Sequence, residues 1–220
     1  MAPVITQAEE QFLAEHPCVT NVLFSYGSSA TLGAQIVNGS PADVFISASE
    51  KTMKTVTDKD RTVSSTIFAK NSGEIMVGPN AKYVGRITDI ASLTDAVNAG
   101  IKVGLCVTTA PCGALADSIL EKAGISRTAI GDTESPSVED LVSKIEMGEL
   151  DAGIVFHSDC VYAHNQKSSQ CITIPSDVNA STSYYVAALN TRNVSQQFAD
   201  FISSTSFIGI LQSKYGFLAP

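Results

Sequence analysis

Strand signals alternating with helix signals predict an α/β fold with mainly parallel sheets. Two observations carry the expectation. Short buried-type runs, such as 43–47 (DVFIS) and 152–156 (AGIVF), are strand-sized and are separated by helical stretches. Several of those stretches open on a small hydroxyl residue or Pro and stop at Gly, as helices of a strand–helix–strand unit do.

In chain order, 4–15 (VITQAEEQFLAE) has helical spacing and ends at His-Pro. Residues 21–26 (NVLFSY) predict a strand. Residues 28–37 predict a helix capped by Ser and stopped at Asn38-Gly39. A short strand over 43–47 and a short helix over 49–57 follow. Residues 66–69 and 74–78 read as two extended pieces around Asn71-Ser72-Gly73. The scheme then repeats: helix 93–98, strand 102–106, and helix 111–123 with Pro in its first turn and Gly124 after it. Residues 137–147 place apolar side chains at 138, 141, 142 and 145, an amphipathic helix stopped by Gly148. Strands are expected at 152–156, 171–174 and 184–189, and helices at 194–203 and 207–215. No repeat or low-complexity linker divides the chain. A two-lobed arrangement would place its crossovers near 68–74 and 175–185.

Composition narrows the function. The chain has 220 residues, 44% hydrophobic and 16% charged, which excludes a disordered chain. A net charge of −8 argues against nucleic-acid binding, which draws on phosphate neutralisation. No apolar run approaches the roughly 18 residues of a membrane span. No basic start is followed by an apolar run, so the chain reads as carrying no signal peptide. Ser and Thr in place of Lys and Glu lean towards an exported protein. The five cysteines (Cys18, Cys106, Cys112, Cys160 and Cys171) are either free thiols or two pairs and one left over. Cys160 and Cys171 flank a polar stretch that reads as a loop, which a disulfide could clip. Without CxxC, HxxxH or HExxH, a metal site has no motif.

The candidate chemistry sits at helix starts rich in small residues: Gly27-Ser28-Ser29-Ala30-Thr31, Ala110-Pro111-Cys112-Gly113 and Ser135-Pro136-Ser137-Val138. Each offers unpaired backbone N–H groups and a partial positive charge. Converging, they would hold an anion without Lys or Arg. Each alone is an ordinary cap. A catalytic reading pairs Cys112, near a helix N-terminus, with His157 as base. The plainer reading is a small buried Cys and a loop His. No GxSxG, GxGxxG or GxxxxGK[ST] is present.

The run SYGSSATLGAQIVNGSPADVFISASEKTM (25–53) resembles the molybdate-binding proteins of ABC importers. VGLCVTTAPCGALADSILEKAG (103–124), SVEDLVSKIEMGELDAGIVFHSD (137–159) and FADFISSTSFIGILQSKYGF (198–217) extend the likeness over nearly the whole chain. The resemblance implies a two-lobed type II periplasmic-binding-protein fold, with 1–70 and 184–220 as first lobe and 71–183 as second. It implies a tetrahedral oxyanion, molybdate or tungstate, captured between the lobes, and no cofactor or catalysis. It implies ABC permease subunits as partners, and a periplasmic or cell-surface lipoprotein location. Carried over residue by residue, the contacts fall on Ser29 with Ser28 beside it, on the backbone of Cys112 and Val138, and on Phe156. At Phe156 the family has a Tyr hydroxyl, so one hydrogen bond is lost, worth roughly 1.5–3 kcal/mol to a charged acceptor. The family also begins with a strand and a Ser ligand that this chain lacks. Weakened binding is therefore expected, with a dimer or swapped strand through the incomplete first lobe. The alternatives are a Cys-His enzyme on a similar scaffold and a degenerate or sensory paralogue binding another small anion.

Overall fold

A computed structural model describes residues 2–58, 63–79, 85–130, 133–167 and 169–220. The chain divides into two compact units, 1–70 with 183–220 and 71–182. Strands β2 (Thr66–Val77) and β7 (Ser181–Ala188) each run through a boundary.

Unit 1 contains α1 (Ala2–Glu15), α2 (Ser29–Val37), β1 (Val44–Ser47), α3 (Glu50–Thr57), α8 (Asn193–Ile202) and α9 (Thr205–Tyr215). β1 pairs antiparallel with β7, Val44 opposite Ala188 through Ser47 opposite Tyr185. Its core joins Val4, Ile5, Ala8 and Phe12 of α1 to Phe198, Phe201 and Ile202 of α8 and Phe207 and Leu211 of α9. Phe12 meets Phe198 and Phe201 edge-on, with centroids 4.9 and 5.7 Å apart.

Unit 2 contains α4 (Ser92–Asn98), β3 (Val103–Cys106), α5 (Pro111–Lys122), a 3-10 turn (Arg127–Ala129), β4 (Thr133–Ser135), α6 (Val138–Met147), β5 (Ala152–Phe156), α7 (His157–Lys167) and β6 (Gln170–Thr173). β3 is flanked by β4 and β5, both parallel to it. β2 pairs antiparallel with β5 and with β6. β3 and β5 are buried along their whole length, as a sheet covered on both faces requires. α6 ends at Gly148 with φ 78°, a left-handed cap.

Four expectations need correction. The sheet is mixed rather than mainly parallel, because β2 and β7 run against their neighbours. Residues 21–26 form no strand. Their alternation is real, with Val22 and Phe24 packed on the unit 1 core and Leu23 88% exposed, but among the described residues they are assigned to no strand. The two pieces around Asn71-Ser72-Gly73 are one strand of 12 residues, because Asn71 is fully buried and bonded. Residues 161–167 of the polar stretch after Cys160 belong to helix α7, whose buried side chains among the described residues are the small ones of Ser158, Cys160 and Ala163, so that it shows no apolar stripe.

Phe12→Ala is expected to cost about 3–5 kcal/mol, since the ring is 1% exposed and its loss leaves a cavity. Urea denaturation should show the midpoint falling with little change in slope.

Candidate functional site

In unit 2 the register aligns three strand ends. Cys106 of β3 lies opposite Ser135 of β4, and the Val107 N–H donates to the Ser135 carbonyl at 2.8 Å. β5 runs parallel on the other side of β3, Val103 opposite Ala152. The carboxyl ends of β4, β3 and β5 therefore share one edge, where α6, α5 and α7 begin. Open α/β sheets bind ligands outside that edge.

The three helix starts there differ. At α5, Ala110 supplies no side-chain cap and Pro111 has no N–H. The first amide bonded back into the helix is that of Ala114, to the Ala110 carbonyl at 3.0 Å. The N–H groups of Cys112 and Gly113 thus have no intrahelical acceptor. A Cβ on Gly113 would lie 2.0 Å from the Val107 carbonyl oxygen, so only glycine lets the loop pass this close. At α6, the Ser137 hydroxyl accepts from Asp140 N–H (3.3 Å) and its carbonyl from Leu141 N–H (3.1 Å), which leaves the amides of Val138 and Glu139. At α7 the Asn71 side chain closes the start: its amide donates to Ser158 Oγ at 2.7 Å and its oxygen accepts the Ser158 N–H at 3.3 Å.

His157, first residue of α7, donates from Nδ1 to Glu74 Oε2 at 2.7 Å. Thr173 donates to the other oxygen at 3.0 Å. Glu74 is 4% exposed, so its carboxylate is held by these partners rather than by water. The hydrogen bond to Glu74 raises the His157 pKa above its usual value, burial opposes it, and attraction to the carboxylate adds to it.

In unit 1, Ser28 caps α2. Its hydroxyl accepts from Thr31 N–H at 3.2 Å and lies 2.8 Å from Thr31 Oγ1. Ser29 is 8% exposed, and its Oγ accepts the Ala48 N–H at 3.0 Å. A hydroxyl that accepts one bond retains its own proton to donate. Leu32 is the first residue whose amide bonds to a helical carbonyl, that of Ser28, at 3.0 Å. The N–H groups of Ser29 and Ala30 are therefore uncommitted within the helix. Ser49 caps α3 in the same way.

The sequence-predicted residues thus fall in two sets, Ser28 and Ser29 in unit 1 and Cys112, Val138 and Phe156 in unit 2. Cys112 and Val138 sit at helix starts on one sheet edge. Phe156 ends β5 at that edge, 3% exposed, with an apolar side chain. Cys112 is bonded to Cys106 and Cys160 to Cys171, while Cys18 is free and exposed. The disulfide removes the Cys112 thiolate that a Cys-His enzyme would need. Tyr184 is buried against Phe68 and Phe217. No local signal marks Asn71 or Glu74, whose partners Ser158 and His157 are more than 80 positions away, or Arg127, whose partners lie on three different elements. The spacing of Cys106 and Cys112 was the one readable trace of their bond. Among the described residues, no group of three His, Cys, Asp or Glu is placed to hold a metal ion.

The helix starts on this edge present backbone donors that can hold an anion by hydrogen bonds. The family model of bacterial extracellular solute-binding proteins matches residues 1–218, and the chain belongs to that family. It is 30% identical to the molybdate-binding protein ModA of Mycobacterium tuberculosis H37Rv over 98% of this chain and 80% of the relative. To ModA of Escherichia coli K12 it is 30% identical, over 90% and 78%. The solved periplasmic molybdate-binding protein of Azotobacter vinelandii superposes with a TM-score of 0.80 at 21% identity, over 100% of this chain and 95% of that one. The chain is a solute-binding protein rather than an enzyme.

Because the folded pKa of His157 lies above the unfolded value of about 6.5, its contribution to stability is full below that value. It is lost as pH rises through the folded pKa. NMR titration of the imidazole should give a midpoint above 6.5 that drops in Glu74→Gln. A midpoint unchanged by that substitution would refute the assigned cause.

Proposed function

We propose that the chain is the extracytoplasmic solute-binding subunit of an ABC importer and captures molybdate or tungstate. The supporting observation is the pair of uncommitted amide sets on one sheet edge, Cys112 with Gly113 and Val138 with Glu139. The β3–β4 register holds the two starts side by side. In unit 1 the start of α2 offers donors of the same kind, the Ser29 and Ala30 amides and the Ser29 hydroxyl. Ser28 acts as the cap that shapes α2 rather than as a direct contact. The names of the ModA relatives support molybdate as the anion.

Mechanistically, a tetrahedral dianion is held by neutral donors. Partial charges at helix starts and N–H hydrogen bonds replace its hydration shell. No proton moves and no cofactor is required. The net charge of −8 does not oppose this, because exposed charges are screened within about 8 Å at physiological salt while the donors act in contact. Phe156 gives no side-chain hydrogen bond, so amides carry a larger share of the binding. Membrane permease subunits of the importer receive the loaded protein, in the periplasm or at the cell surface.

Thermal-shift titration with molybdate, tungstate, sulfate and phosphate tests the reading. At 100 times its Kd a ligand stabilises by about 2.7 kcal/mol, or about 5–10 °C for a chain of this size. A rise with molybdate and tungstate alone is expected. A rise with sulfate or phosphate alone would overturn the assignment of the anion, and no rise with any would overturn the function. Ser29→Ala should weaken molybdate binding roughly ten- to hundredfold by calorimetry, since a hydrogen bond to a charged group is lost.

A further inference from the structure

We infer that the Cys106–Cys112 disulfide, with Arg127, is a positioning brace for the anion-binding amides of α5, so that affinity depends on it beyond any effect on stability. The inference rests on the proposed oxyanion function and adds to it the means by which the unit 2 donors are held.

The geometry is local and directed. Cys106 is the last residue of β3 and is fully buried. Cys112 is the second residue of α5 and is 3% exposed. The bond between them, with 5.7 Å between the Cα atoms, ties the strand end to the residue whose N–H is presented. Arg127 donates from Nη2 to the Cys106 carbonyl and from Nη1 to Asp117 of α5. The same guanidinium reaches Glu134 of β4 at 2.9 Å. One side chain thereby fixes β3, β4 and α5 in a single frame, as the planar fork of Arg allows. Gly113 completes the frame by letting Val107 pack against the helix start. α5 has no side-chain cap of its own, so these ties hold its first turn where Ser137 holds that of α6.

A simple staple would behave differently. Cys106–Cys112 spans six positions and Cys160–Cys171 eleven. Loop-closure entropy follows the logarithm of loop length, so the two bonds should contribute similarly to stability. The second joins α7 to β6, and neither of its cysteines is among the presented amides. If both are staples only, removing either lowers Tm and leaves affinity alone. Electrostatic contacts to a desolvated anion are sensitive to small displacements of the donors, so a loosened α5 start loses binding.

The test compares Cys106→Ser/Cys112→Ser with Cys160→Ser/Cys171→Ser, reading molybdate Kd by calorimetry well below either Tm. The first pair should raise Kd about tenfold or more, and the second should leave it within about twofold. Should the first variant not fold, the Cys160→Ser/Cys171→Ser protein is treated under native conditions with a trialkylphosphine. The phosphine and one water become the phosphine oxide, and the Cys106–Cys112 bond becomes two thiols. The same rise in Kd is expected, reversed on reoxidation. Equal Kd values for both variants, or no change on reduction, would overturn the brace while leaving the proposed function intact. Wild-type protein that binds neither molybdate nor tungstate would overturn the function and the brace with it.

Discussion

Backbone N–H groups in the first turn of a helix have no carbonyl four residues back to bond, and this shortage organises the candidate site. Every other feature either satisfies such groups or places them. Ser28, Ser49 and Ser137 each take one amide and leave two. Asn71 takes the Ser158 amide at α7. What remains at α5 and α6 is two pairs of donors on one edge of unit 2, side by side because β3 and β4 run parallel in register. A parallel ladder returns each strand's end to the same edge, so helices that follow them start together.

Neutral donors suit a chain of this charge. Among the described residues near the unit 2 edge, Arg127 is paired with Asp117 and Glu134, Lys144 with Asp140 at 2.8 Å, and His157 with Glu74. These pairs brace the scaffold. Lys144 also holds the Asp140 carboxyl below its usual pKa, chiefly through their hydrogen bond. In the proposed site, anion capture falls to dipoles that cannot titrate, so that site would keep its sign across pH while the scaffold around it responds through His157.

Much of this was legible in the residues because it is local. Helix starts and stops at Ser137 and Gly148, the buried strand 152–156 and the apolar spacing of 137–147 depend on neighbours within a few positions. The misreadings share the opposite cause. Residues 21–26 have the alternation of a strand, but a strand is defined by a partner. Asn71 looks like a turn residue until Ser158, 87 positions away, occupies its amide. α7 is polar because its buried positions take small side chains, so no apolar stripe announces it.

By itself, then, the sequence determined the alternation of elements, the capped helix starts and the family to which they belong. The first two follow from short-range chemistry, and the family from the resemblance of the residue order to known sequences. Only the tertiary structure decided which helix starts keep their amides uncommitted, that the Ser29 hydroxyl accepts the Ala48 amide, and that Cys112 is a bonded partner of Cys106 rather than a thiol. Those outcomes depend on pairings whose members are brought together by sheet register and packing. Short-range pattern carries no record of such pairings.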